Sequence, residues 1–174
     1  RRRHTRYGTV TGVQTCALPI SVSGGVLQAP SGLLRMPAEA TRMSSNRGLE
    51  AMTVLAGGPH KGSVIAICER FPDAAGHHVG WIWTQGDPKR FSFERPGEFD
   101  VTDCASLQDG TLLVLERRFK WTEGVKMQLR RFAAKDITPG NRAGAGEILI
   151  TADMSSEIDN MEGLAVHKIG RAHV

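Results

Sequence analysis

The sequence predicts an all-β protein, a fragment of a β-propeller made of about two to three blades of antiparallel strands. Three observations predict it. The apolar segments are only of strand length, and long helical periodicity is missing. Clusters of Gly, Pro, Asn and Asp separate them as turns. A unit of strand, glycine turn, strand and Glu-Arg recurs along the chain.

In chain order, the first stretch is set aside. RRRHTR (1–6) and VTGVQTCALPI (10–20) read as a translated sequencing adapter, with Tyr7, Gly8 and Thr9 where a sample index would sit. At the other end IGRAHV (169–174) reads as the complementary adapter. The expected division is therefore residues 1–20 adapter-derived, 21–168 a partial natural domain, and 169–174 adapter-derived. The charge changes accordingly. The whole chain is formally +4, but Arg1, Arg2, Arg3, Arg6 and Arg171 lie in the excluded ends, which leaves 17 basic against 18 acidic residues. The basic character that would suggest nucleic acid belongs to the ends, so nucleic acid is not expected as a partner. No apolar run approaches the roughly 20 residues that span a bilayer.

The strands then follow one another. AMTVL (51–55) precedes the turn AGGPHKG and the continuous apolar run SVIAIC (63–68). A run without alternation is covered on both faces. His77 and His78 fall in AAGHHVG, which reads as an exposed connection with the two imidazoles on opposite sides. GWIW (80–83) places Trp81 and Trp83 on one packing face. QGDP and RPGE are turns. TLLVL (111–115) is again continuous. MQLRRF (127–132) alternates and is expected to face solvent on one side. A short helical turn near 134–137 precedes the loop TPGNRAGAG, then EILI (147–150) and GLAV (163–166) close the series. Cys68 and Cys104 sit in or beside apolar runs and read as buried free thiols, with no spacing that frames a disulfide. There is no CxxC, GxSxG, Walker A or EF-hand pattern.

The repeats place the chemistry. GLEAMTVLAGGPHKGSVIAICER and DVTDCASLQDGTLLVLER share their order of features, with Glu69-Arg70 and Glu116-Arg117 47 residues apart. The acids opening each unit, Glu50, Asp103 and Glu162, are 53 and 59 apart, which fits blades of about 40 to 50 residues with loop insertions. Equivalent positions in neighbouring blades stand at one height around a shared axis. Converging carboxylates repel and need a cation or an arginine beside them. Arg47 lies three residues before Glu50, and Arg70 and Arg117 each follow a glutamate directly. The expected result is a polar funnel that either holds a divalent metal through oxygens or clasps an anion through guanidinium forks. Glu50, Glu116 and Glu162 are the candidates for acid–base work. Arg47, Arg70, Arg117 and Asn160 are candidates for holding substrate, and Glu69, Asp103 and Asp159 for a metal.

The motifs NRGLEAM, FDVTDCASLQDGTLLVLERRF and IDNMEGLAV, in that order, resemble the phytase-like domain known as esterase-like activity of phytase, over roughly residues 44–167 and closest to bacterial, notably proteobacterial, members. The resemblance implies a β-propeller domain about twice this length in an exported protein, periplasmic or secreted. It implies hydrolysis of a phosphoester or carboxylic ester, with a small anionic or ester substrate. Calcium is the cofactor it suggests, although the aspartate-rich calcium motifs of β-propeller phytases are not recognisable here. The alternative is a non-catalytic propeller that binds a small anion or a protein through the same funnel.

Overall fold

A computed structural model describes residues 34–43 and 48–167, together with the backbone at residues 16–17, 22–23 and 26–27. Arg47 and nearly all of the adapter-like ends lie outside the described residues. Four two-residue strands come first: β1 (Cys16–Ala17) pairs with β4 (Leu34–Arg35), and β2 (Val22–Ser23) with β3 (Val26–Leu27). The remaining strands build two sheets. The first runs β5 (Leu49–Val54), β6 (Val64–Cys68), β7 (His78–Trp83) and β8 (Lys89–Phe93) as an antiparallel meander. The second runs β9 (Asp100–Ser106), β10 (Leu112–Lys120), β11 (Gly124–Phe132) and, after β12 (Arg142–Ala143), β13 (Glu147–Asp153). β12 leaves that order to pair in parallel with β8 on the first sheet. The fold is all-β, and each meander of four strands is a blade of the kind a β-propeller repeats. Among the described residues the only helical pieces are short 3-10 turns, such as Pro96–Glu98 and Met154–Ser156. Residues 134–136 form a turn.

The sequence explains which strands go inside. β6 and β7 are buried on both faces because two cores sandwich the first sheet. On one side Ile65, Ile67, Ile82, Phe91 and Phe93 meet Val101, Cys104, Leu112, Val114 and Phe132 of the second sheet. On the other, Ala66, Cys68, Val79, Trp81 and Trp83 are covered by Leu34, Met43, Leu49 and Phe71. The continuous apolar run SVIAIC is thus a strand between layers, TLLVL is buried along its length, and the two tryptophans pack as expected. Cys68 and Cys104 are buried free thiols.

The innermost strands β5 and β9 lie against each other. At one end of this seam the two hairpin turns touch so closely that a Cβ on Gly57 would lie 2.1 Å from the Gln108 carbonyl oxygen. The Ala56 N–H also donates to Ser106 Oγ at 3.0 Å.

MQLRRF alternates, and the side that turns inward carries Gln128 and Arg130 with Phe132, in the space between the sheets. One expectation is corrected: His78 is not in an exposed connection. It is the buried first residue of β7, against the ring of Phe93. The phase of the repeat is also shifted by one residue. Both inner hairpins carry a bulge, at Glu50 and at Thr102. Counted from those bulges, Glu50 stands level with Thr102, Asp103 with Ala51, Cys68 with Glu116, and Glu69 with Arg117.

Candidate functional site

At the other end of the seam, β5 and β9 begin and β6 and β10 pass out of their pairing with them. Strand ends leave backbone and side chains free of the ladder, and here they carry charge. Arg70, two residues past β6, reaches the first residue of β9: its Nε donates to Asp100 Oδ2 at 2.5 Å. Arg95, just before the Pro96 turn, donates to the other oxygen of Asp100 at 2.6 Å and to the Phe99 carbonyl at 2.8 Å. Arg117 is the cross-strand partner of Asp100. Three guanidinium groups are therefore gathered beside one nearly buried carboxylate. Two of them are spent on it. Arg117 is not: its side chain is 28 % exposed and its ion contact is Glu162, 3.8 Å away. Asn160 donates to the same carboxylate of Glu162.

The segment carrying Asn160 and Glu162 is fastened by Asp103. One oxygen of Asp103 accepts from the Cys104 N–H at 2.8 Å, the other from the Leu164 N–H at 2.6 Å. The third repeat motif is thereby held beside the inner strand of the second sheet, although residues 158–167 form no strand.

Glu116 lies below this surface, fully buried between the sheets. Arg130 grips it with Nε at 2.7 Å and with a second, shorter bond from its other terminal nitrogen. Gln128 donates to it at 2.6 Å. His78 Nε2 stands 3.1 Å from Oε1, off the line of a well-formed hydrogen bond. Arg130 spends its remaining nitrogen on the carbonyls of Glu94, at 2.9 Å, and Ala145, at 2.6 Å, and its guanidinium lies over the rings of Phe93 and Phe132. Burial pushes the Glu116 carboxyl up, but His78 and Arg130 together hold it below the usual range. Burial holds His78 below its ordinary value, against the opposing pull of Glu116.

The structure thus brings Arg70 and Glu69 together with Asp100, and Arg117, Asn160 and Glu162 with one another. It does not bring Glu50, Glu116 and Glu162 together: Glu50 is exposed on its bulge and Glu116 is enclosed. Asp159 is exposed. Arg95 and Arg130 were not singled out from sequence. The period of two in Gln128, Arg130 and Phe132 was the signal for Arg130, since one face carrying both charge and an aromatic side chain suggests a paired ion inside. Arg95 offered no signal beyond its place beside a turn. The thiols are not nucleophiles at neutral pH, because burial raises both, Cys68 to about 12.

Two four-stranded blades, with arginines and buried carboxylates at one end of their seam, place the chain among β-propeller-type proteins. Within that class the chain belongs to the phytase-like family described as esterase-like activity of phytase, which matches residues 20–174. No curated protein and no solved structure matches the chain. No helix among the described residues is long and apolar enough to cross a membrane. Calcium needs six to eight oxygen ligands. Among the described residues no three His, Cys, Asp or Glu side chains gather to hold a metal ion. Glu69 faces Arg70, Asp103 is bonded to two backbone N–H groups, and Asp159 stands apart. The described residues do not fit such an ion.

Proposed function

We propose that this chain carries part of the active end of an exported, phytase-like ester hydrolase, acting on a phosphoester or a carboxylic ester. Arg117 receives the anionic part of the substrate, with Asn160 and the exposed face of Arg70, whose inner side holds Asp100, beside it. Glu162, set beside Arg117 and open to solvent, is the group placed to take a proton from attacking water. Glu50, also exposed, is the other candidate. Glu116 acts from beneath by fixing β10 and so the direction of Arg117. Export is supported by the family resemblance alone.

One observation carries the reading: Arg70 and Arg95 answer Asp100, while Arg117, partly exposed and with its ion contact to Glu162 at 3.8 Å, is left with donors facing water. Arginine in that state is suited to bidentate capture of phosphate or carboxylate. The test is calorimetric binding of inorganic phosphate to the full chain, together with hydrolysis of p-nitrophenyl phosphate and p-nitrophenyl butyrate. Phosphate should bind, and Arg117→Ala should weaken it at least about tenfold, as loss of a charged hydrogen bond does. Absence of phosphate binding defeats the proposal.

A second reading is favoured by the engagement of the acids. Asp100, Asp103 and Glu116 are all bonded to arginine or backbone N–H groups, which suits a site that only binds. Phosphate binding with no turnover of either ester selects this non-catalytic module.

A further inference from the structure

The β10–β11 hairpin runs past the charged end. Arg117 pairs with Asp100 at the start of β9, yet the hairpin continues through Arg118↔Lys126, Phe119↔Val125 and Lys120↔Gly124. This overhang carries the most exposed large apolar side chain among the described residues. Trp121 is 94 % exposed and Phe119 is 54 % exposed. Their rings meet edge to face at 5.4 Å between centroids. Phe119 follows Arg117 by two residues on the same strand, so both side chains project from one face.

The turn does not need its tryptophan. It closes through the Glu123 N–H to the Lys120 carbonyl at 3.0 Å, and Gly124 takes the left-handed conformation the turn requires, at φ 72°. The tip is also held in place. Glu123 accepts from Arg118 and Lys126, each at 2.6 Å, and Gly124 sits so near Met154 that a Cβ would lie 2.8 Å from its Cγ. Two aromatic rings are thus kept in water on a fixed arm, next to an arginine with free donors. Such rings offer flat contact area at small entropic cost.

We infer that Phe119 and Trp121 form an aromatic wall that receives the aryl or other flat apolar group of an anionic ester held by Arg117. The inference rests on reading the charged end as an anion site, and it narrows the substrate class to esters joining a negative group to an apolar one. A small ligand suits the arm better than an anionic bilayer, because the nearby cations are already answered. Lys120 pairs with Glu98 at 3.1 Å, while Arg118 and Lys126 share Glu123.

Trp81 and Trp83 are 1 % and 6 % exposed, so among the three tryptophans Trp121 dominates any solvent-sensitive emission. The full chain is titrated with phenyl phosphate and with inorganic phosphate, reading both fluorescence and calorimetric affinity. Phenyl phosphate should quench the emission saturably and bind more tightly than phosphate. Trp121→Ala should cut that preference about tenfold, and Trp121→Phe should restore most of it. If phosphate binds but phenyl phosphate binds no tighter, the aromatic wall is overturned while the anion site stands. If neither binds, the reading of the charged end fails and takes the wall with it. Emission that responds only to protein concentration, or only to phosphatidylcholine–phosphatidylglycerol vesicles, also overturns it and assigns the arm to a second copy or a bilayer.

Discussion

Glu116 and Arg130 illustrate how a single residue pair shapes the molecule. Each is fully buried, and each supplies the other's countercharge. Glu116→Gln keeps the shape and removes the countercharge, leaving a guanidinium stranded in the core. The expected loss is about 3 kcal/mol or more, read as a fall in the urea midpoint. Glu116→Gln with unaltered stability would show that Arg130 finds enough partners in the Glu94 and Ala145 carbonyls. Acid should act on the same cluster in two stages. His78 is depressed from its ordinary 6.5, so the unfolded chain binds its proton first. Stability is then complete above that value and falls as pH drops towards the lower folded value. Glu116 is depressed from its ordinary 4.5, so a second decline begins near there and continues through its folded value. His78→Gln should erase the first stage and keep the second, in melting temperatures measured from pH 8 to pH 3.

At the scale of strands and turns, much was legible. Short apolar runs separated by glycine-rich turns gave the hairpins, and unbroken runs such as SVIAIC marked strands covered on both faces. What the sequence could not show is which side of an alternating strand goes inwards. In MQLRRF a residue count favours the apolar side, but Glu116 arrives from β10 and makes the arginine side the better one to bury. The repeat phase was misread for a related reason. A bulge adds a residue without changing composition, so aligning Glu-Arg with Glu-Arg set Glu69 level with Glu116, where the register gives Cys68. The charged end was legible in part, through Arg70, Arg117, Asn160 and Glu162, because their motifs recur; Arg95 depends on a turn that brings it back to Asp100. The glycine contact is the test of the seam itself. Gly110 has φ 88°, and a Cβ there would lie 2.7 Å from Gly57 backbone. Gly110→Ala should cost more than about 1 kcal/mol from conformation alone, with the clash added. A midpoint of denaturation equal to the parent's would show that the two turns part freely.

Among the described residues one sheet is well covered and one half-covered. The first sheet has a core on either side, whereas β13 ends the second sheet with Ile148, Leu149 and Ile150 exposed along an edge that no described strand pairs with. Exposed apolar edge strands recruit further strands. The chain should self-associate as its concentration rises, seen as increasing light scattering, and Ile150→Lys should suppress this. Scattering that stays flat to millimolar concentration would show that the edge is inert.

The seam between β5 and β9 is fastened by unlike means at its two ends, guanidinium and carboxylate at one, glycine against backbone at the other. Ions in solution compete for the first fastening and have no purchase on the second. Brine should therefore loosen the two sheets like a book whose spine has come unglued at the head while the tail stays sewn, and amide hydrogens near Asp100 should exchange faster in it while those near Gly110 keep their pace.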